Sequence, residues 1–161
     1  MTETELQTFA DNYTSADFDK IMFDWNGQHG DNFLDNNYEF RMQLCEFLVP
    51  QLDITKLILI RDLFIELSKW AKEAWCVYNK YHLLAQQLLT RGGTSFIIDY
   101  LTGASQCFDT GLASGRVILT KDQKQNIFNF ITNRLESESD EKTLKLLEFG
   151  KDRFKRFLHV D

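Results

Sequence analysis

ITKLILIRDLFIELSKWAKEAWCVYNKYHLLAQQLLTRGG, residues 54–93, carries the pattern that most constrains the architecture. From Ile54 to Thr90 it holds no glycine and no proline, so no residue in it breaks a helix through its backbone chemistry. Apolar side chains recur at Leu57, Ile58, Ile60, Phe64, Leu67, Ala71, Ala74, Trp75, Tyr78, Leu84 and Leu88, the rhythm of a helix with one buried face. One helix over the whole stretch would be about three times the usual length, so a pair joined by a bend or break near Lys72–Asn79 is expected. Asp53 can cap the start, and Arg91-Gly92-Gly93 supplies a glycine stop. Lys56, Arg61, Asp62 and Glu66 interrupt its most apolar part, which rules it out as a membrane span.

Working outward, Pro50 is the only proline in the chain and ends the preceding helix. That helix is expected to start from caps at Asp35-Asn36-Asn37 and to run to about Val49, with Phe40, Leu44, Phe47 and Leu48 facing inward. Thr4–Tyr13 reads as a first helix. Asp17–Trp25 reads as a second, with Phe18, Ile21, Met22 and Trp25 on one stripe, and Asn26–Asn32 as a turn. Downstream, Ser95–Leu101 fits either a helical turn or a buried strand. Residues 102–116, with Gly103, Gly111 and Gly115, are expected to be the loosest region. Thr120 and Gln123 form a capping box that opens a helix carrying Ile127, Phe130, Ile131 and Leu135. Glu136–Asp140 is a polar linker. A last helix carries Leu144, Leu147, Phe149, Phe154, Phe157 and Leu158, with Lys151, Arg153, Lys155 and Arg156 crowding its end. The expected fold is all-α: a single domain over 1–161, an irregular bundle of five to seven helices around a long central helix or helix pair at about 54–90.

The residues that carry chemistry are sparse. Cys45, Cys76 and Cys107 form no CxxC pair, so they read as reduced, small buried hydrophobes rather than disulfide or zinc ligands. The segment from Asp24 to Asp35 has the length of a calcium loop, but His29 stands where the turn needs glycine and Asp35 where a bidentate Glu is needed. Asp62 and Glu66, i and i+4, lack the Glu-x-x-His motif of a carboxylate-bundle metal site, and with Arg61 and Lys69 they read as surface ion pairs. Gly103-Ala104-Ser105-Gln106-Cys107 lacks the second glycine of a nucleophile elbow. Cys107 with His82 or His159 can be drawn as a Cys–His pair only by ignoring how often chance supplies one. No GxxxxGK[ST] or GxGxxG occurs. A pI near 5.1 argues against direct nucleic-acid binding. No metal, cofactor or catalytic residue is assigned, and the chain reads as a non-enzyme.

Charge is the informative pattern. Residues 1–40 carry nine acids and one base, a net of −8, while 41–100 and 101–161 each carry a net of +1. The same forty residues hold eight aromatic rings. Either those rings are core and the acids are solvated, or the zone is a partner surface in which rings anchor and carboxylates steer a basic partner. Tyr13, Asp17, Asp24, Trp25, Asp31, Asp35 and Tyr38 are the candidate partner-binding residues. The expected function is non-enzymatic protein binding, of the immunity or antitoxin type, blocking a toxin or enzyme for which a basic nuclease is a natural target. This is an analogy at the level of a class of proteins. The alternative is an all-α enzyme or small-ligand-binding domain, with Asp62, Glu66, Tyr78 and His82 converging in a pocket between helices. A structural subunit self-associating through the central helix is a third. The N-terminus has no basic region followed by an apolar one, so a cytoplasmic, non-membrane protein is the expectation.

Overall fold

The computed structural model of the chain describes residues 1–159, the side chain of His159 excepted. Among them lie eight α-helices: α1 (Glu3–Asn12), α2 (Tyr38–Leu48), α3 (Leu57–Ala74), α4 (Tyr81–Gln87), α5 (Ile97–Ala104), α6 (Phe108–Ser114), α7 (Lys121–Leu135) and α8 (Glu141–His159). The described residues contain no strand, only an isolated bridge between Trp25 and Asp35. The chain is therefore an irregular helical bundle, and no described helix is long and apolar enough to cross a membrane.

The glycine-free stretch breaks where expected. α3 ends at Ala74, and Trp75 turns into the left-handed region at φ 55°, ψ 32°. The chain resumes helical form at Tyr81, widens into a π turn at Leu88–Gly92, and reverses at Gly93, φ 55°. α3 is the pillar of the core. Leu59, Ile60, Leu63, Phe64 and Leu67 are fully buried on it. The Phe64 ring stacks on Tyr81 at 4.4 Å between centroids and on Tyr100 at 6.1 Å.

α5 runs through the middle of the bundle against α3 and α8. The segment expected to be loosest is instead ordered: Gly103, Ala104, Thr110, Ala113 and Ser114 are all buried, in α5 and α6. Small residues read in sequence as flexibility, but here they permit close approach. A Cβ on Gly103 would stand 2.7 Å from the Tyr81 hydroxyl and 2.8 Å from Phe64 Cδ1. Region 94–119 thus yields two short helices and no hairpin, which takes the helix number above the expected five to seven. α7 and α8 pack on each other across the 136–140 linker. The Thr120 cap holds as expected, with Gln123 N–H donating to its hydroxyl at 3.2 Å.

The expected helix over Asp17–Trp25 does not form. Ser15–Lys20 is a short 3₁₀ turn, and residues 21–37 wind irregularly. Tertiary partners take the backbone groups a helix would use. The Arg41 guanidinium donates to the carbonyls of Ile21 and Met22 at 3.2 and 3.1 Å, and Glu66 accepts the Phe23 N–H at 2.8 Å. Cooperative helix propagation needs those groups free.

Burial raises the hydroxyl pKa of Tyr13, Tyr78 and Tyr81 well above the ordinary tyrosine value and that of Tyr100 above it, and hydrogen bonds to Asp62 and Glu46 add to the rise at Tyr13 and Tyr78. Protons are therefore held more tightly in the folded state. The stability this represents is complete below the ordinary value of 10.0 and is lost as pH rises past it. In an alkaline titration, the tyrosinate absorbance of these residues should rise only above pH ~10 and together with loss of the helical circular-dichroism signal. Ionisation of most tyrosines with the helices intact would contradict this.

Candidate functional site

The 21–37 lobe is built from polar side chains that replace missing secondary structure. Gly27 and Gly30 supply left-handed turns at φ 77° and 68°. Asn26 Oδ1 accepts from the N–H groups of Gln28 and Leu34, and its Nδ2 donates to the Asn32 carbonyl at 2.7 Å. Asn26 N–H donates to Leu34 O, and Asn36 N–H to Asp24 O, which closes the bridge around Trp25 and Asp35. Beneath it lies a fully buried ion pair between Arg41 and Asp35. Asp35 also accepts the N–H groups of Asp24 and Asn37.

This scaffold lays a row of rings across the surface. Phe23 stacks on Trp25 (6.0 Å, 14°) and on Phe33 (6.3 Å), and Trp25 lies 4.9 Å from the His29 ring. His29 then stacks on Trp75 at 5.7 Å and 21°, joining the lobe to the break after α3. Its Nδ1 is 3.2 Å from the Glu73 carbonyl and its Nε2 3.8 Å from the Glu73 carboxylate. Trp75 is 78% exposed and is the only non-glycine residue with positive φ among those described. A bulky side chain held in that conformation costs about 1–2 kcal/mol, and such outliers gather at functional sites. Exposed Leu34 follows Phe33 in the chain, Glu73 meets the row at His29, and Asp24 and Asp31 stand within two residues of its rings in sequence. Lys72, 3.4 Å from Glu73, is the cation nearest to it by ion pairing.

The seven residues expected to bind a partner divide. Trp25 belongs to this face; Asp24 and Asp31 flank its rings along the chain, Asp24 holding Asn36 Nδ2 at 2.8 Å. Tyr38 is partly exposed, on Trp70 at 5.3 Å. Asp17 lies elsewhere, beside Phe9 and Phe40 in a separate hollow of about 700 Å³. It caps the Ser15 turn through Thr14 and pairs with Lys20, which holds its carboxyl below the usual range. Tyr13 and Asp35 are not surface residues. Tyr13 is 2% exposed and donates its hydroxyl to Asp62 at 2.7 Å, and Asp35 is locked under Arg41. Asp35 pins the lobe from inside, and Tyr13 ties the end of α1 to α3.

Five members of the face, Phe23, His29, Phe33, Leu34 and Trp75, were not among the expected residues. Trp75 continues the Leu67–Ala71 stripe at i+4, so periodicity assigns it to the core. Only the left-handed break turns it outward.

Asp62 and Glu66 are not ordinary surface carboxylates. Both are buried, and their ion pairs with Arg61 and Lys69 sit at the edge while Tyr13 and Phe23 N–H occupy the inner oxygens. Tyr78 donates instead to Glu46, and His82 Nδ1 is buried without a partner, so three of the four groups of the alternative reading are engaged with different partners. Among the described residues no three His, Cys, Asp or Glu side chains are grouped to hold a metal ion. Cys45 is buried, its thiol pushed up to about 12 by desolvation. Cys76 is exposed rather than buried. Cys107 leans on the Thr110 hydroxyl at 3.6 Å, and a pairing with His159 falls on a side chain outside the described residues. Comparison with family models, curated proteins and solved structures finds no match.

Proposed function

We propose that this chain is a non-enzymatic protein-binding domain that captures a partner on the ring face of Trp25, His29 and Trp75. The observation that carries this reading is Trp75: an exposed ring, on a strained backbone, stacked into an aromatic row at the acidic end of the molecule. Tryptophan is the residue most enriched at interface hot spots, because it brings large rigid area with few torsions to freeze. The carboxylates around it suit a basic partner and would accelerate its approach. An immunity or antitoxin-type inhibitor, acting on a basic toxin or enzyme in the cytoplasm, fits these properties. The unpaired cysteines suit that compartment.

Trp75→Gly separates binding from folding. Glycine relieves the left-handed penalty at the helix end, so stability should hold or rise by about 1 kcal/mol while the ring is lost. Affinity purification from the source organism with wild type, Trp75→Gly and Trp25→Ala baits, followed by mass spectrometry, should show one protein retained by wild type alone. For that protein, Asp31→Lys should slow association, with the wild-type rate falling steeply with salt. Equal capture by all three baits would discard the reading.

A further inference from the structure

A second surface differs in sign. Between α6 and α8 runs a cleft of about 520 Å³, continuous through Leu112, Phe149 and Arg153 with a hollow of about 380 Å³. On its lip Phe108 and Leu112, i and i+4 on α6, are 77% and 57% exposed. Five cations line the two hollows, Lys142, Lys145, Arg153, Arg116 and Arg156, against the single carboxylate of Asp152. This positive concentration lies in a chain of net charge −6.

Arg153 is the most informative of them. Its Nε donates to the Tyr100 hydroxyl at 2.8 Å, and its Nη2 to the Gly111 carbonyl and Ser114 hydroxyl at 2.8 and 2.9 Å. Its guanidinium lies over the Phe149 and Phe157 rings. All those acceptors are neutral, so the guanidinium is held in one orientation with its charge uncompensated. Lys145 pairs with Glu141 at 2.7 Å, but both are exposed, and such i, i+4 pairs exchange at little cost.

We infer that this cleft receives an acidic amphipathic helix from a partner protein. Apolar anchors on that helix would pack between Phe108, Leu112 and Phe149, and its carboxylates would meet Arg153 and the cationic rim. An i, i+4 apolar pair beside a concave groove is the geometry that accepts helix anchors at the same spacing. The charge ratio selects an acidic helix over a basic one. A flat anionic lipid surface would answer the charge but leave the concavity unfilled. The inference is independent of the ring face around Trp75.

The test is fluorescence anisotropy with the full chain and a labelled synthetic helix of about five turns, Leu and Phe on one face and Glu on the other. Its control is the same peptide with Lys for every Glu. Expected are saturable binding of the acidic peptide and roughly tenfold weaker binding of the basic one. Phe108→Ser/Leu112→Ser should bind the acidic peptide roughly tenfold more weakly, with an unchanged circular-dichroism spectrum because both side chains are exposed. Equal binding of both peptides, undiminished binding by the double variant, or no binding of the acidic peptide overturns the inference. Phosphatidylserine vesicles that bind wild type but not the double variant, without peptide binding, would assign the cleft to lipid instead.

Discussion

Arg41→Ala should lower the unfolding free energy by about 3–5 kcal/mol, the range for removing one partner of a buried ion pair. Arg41 is completely buried on α2 and satisfies three groups at once: the Asp35 carboxylate and the carbonyls of Ile21 and Met22. Alanine leaves the buried Asp35 carboxylate without its cation and the Ile21 carbonyl without its donor, while the Met22 carbonyl keeps Asn37 Nδ2 at 3.0 Å. The loss is a large share of the stability of an ordinary domain, about 5–15 kcal/mol. Denaturant titration measures it, and hydrogen exchange should locate it, with the amides of 21–37 losing protection before those of α3. Replacing both partners, as Arg41→Met/Asp35→Leu, should recover only part, since the Ile21 carbonyl and the N–H groups of Asp24 and Asn37 would still lack partners. A loss below about 1 kcal/mol in Arg41→Ala would show that the lobe stands without its ion pair.

Phe64→Ala should cost a similar amount, about 3–5 kcal/mol. The ring sits between Tyr81 and Tyr100 with none of its surface exposed, so truncation removes two stacking contacts and leaves a cavity that three helices cannot close together. The partner across the interface is Gly103. Gly103→Ala adds a methyl where Phe64 and the Tyr81 hydroxyl already stand, at an overpacking cost of about 1–3 kcal/mol. The gain in helix propensity, about 1 kcal/mol, offsets some of that. Because the new methyl and the ring compete for one space, Gly103→Ala combined with Phe64→Leu should be less harmful than the two effects added, with a coupling of about 1 kcal/mol or more. Strict additivity in denaturant titrations would show that α3 and α5 can move apart freely.

Much of this architecture is legible along the chain. The α3–α4 pair, its break, the Thr120 cap and the closing helix all follow from local rules: periodicity, glycine placement and hydroxyl capping act within a few residues of one another. Ser95–Leu101 and 102–116 are not legible in that way. Gly103 and Ala104 read as looseness until the rings of Phe64 and Tyr81, far away in sequence, are seen to need the space. The Asp17–Trp25 stripe also obeys the helical period, yet Arg41 and Glu66 take its backbone groups and unwind it.

The candidate site divides along the same line. Composition alone concentrates acids and aromatics in the first forty residues, and Trp25 does reach the ring face. Tyr13 and Asp35 match the same description and lie inside, because a buried Asp62 and a buried Arg41 happen to face them. Trp75 is assigned inward by its phase and stands outward because α3 ends one residue before it. Local pattern therefore dictates the all-helical class, the position of the long helix pair and the acidic, aromatic character of the first forty residues. Only the tertiary structure decided which rings are core, which carboxylates are paired, and that Trp75 completes a surface. Local rules report a residue's own neighbours in the chain, whereas burial depends on groups tens of residues away that fold against it.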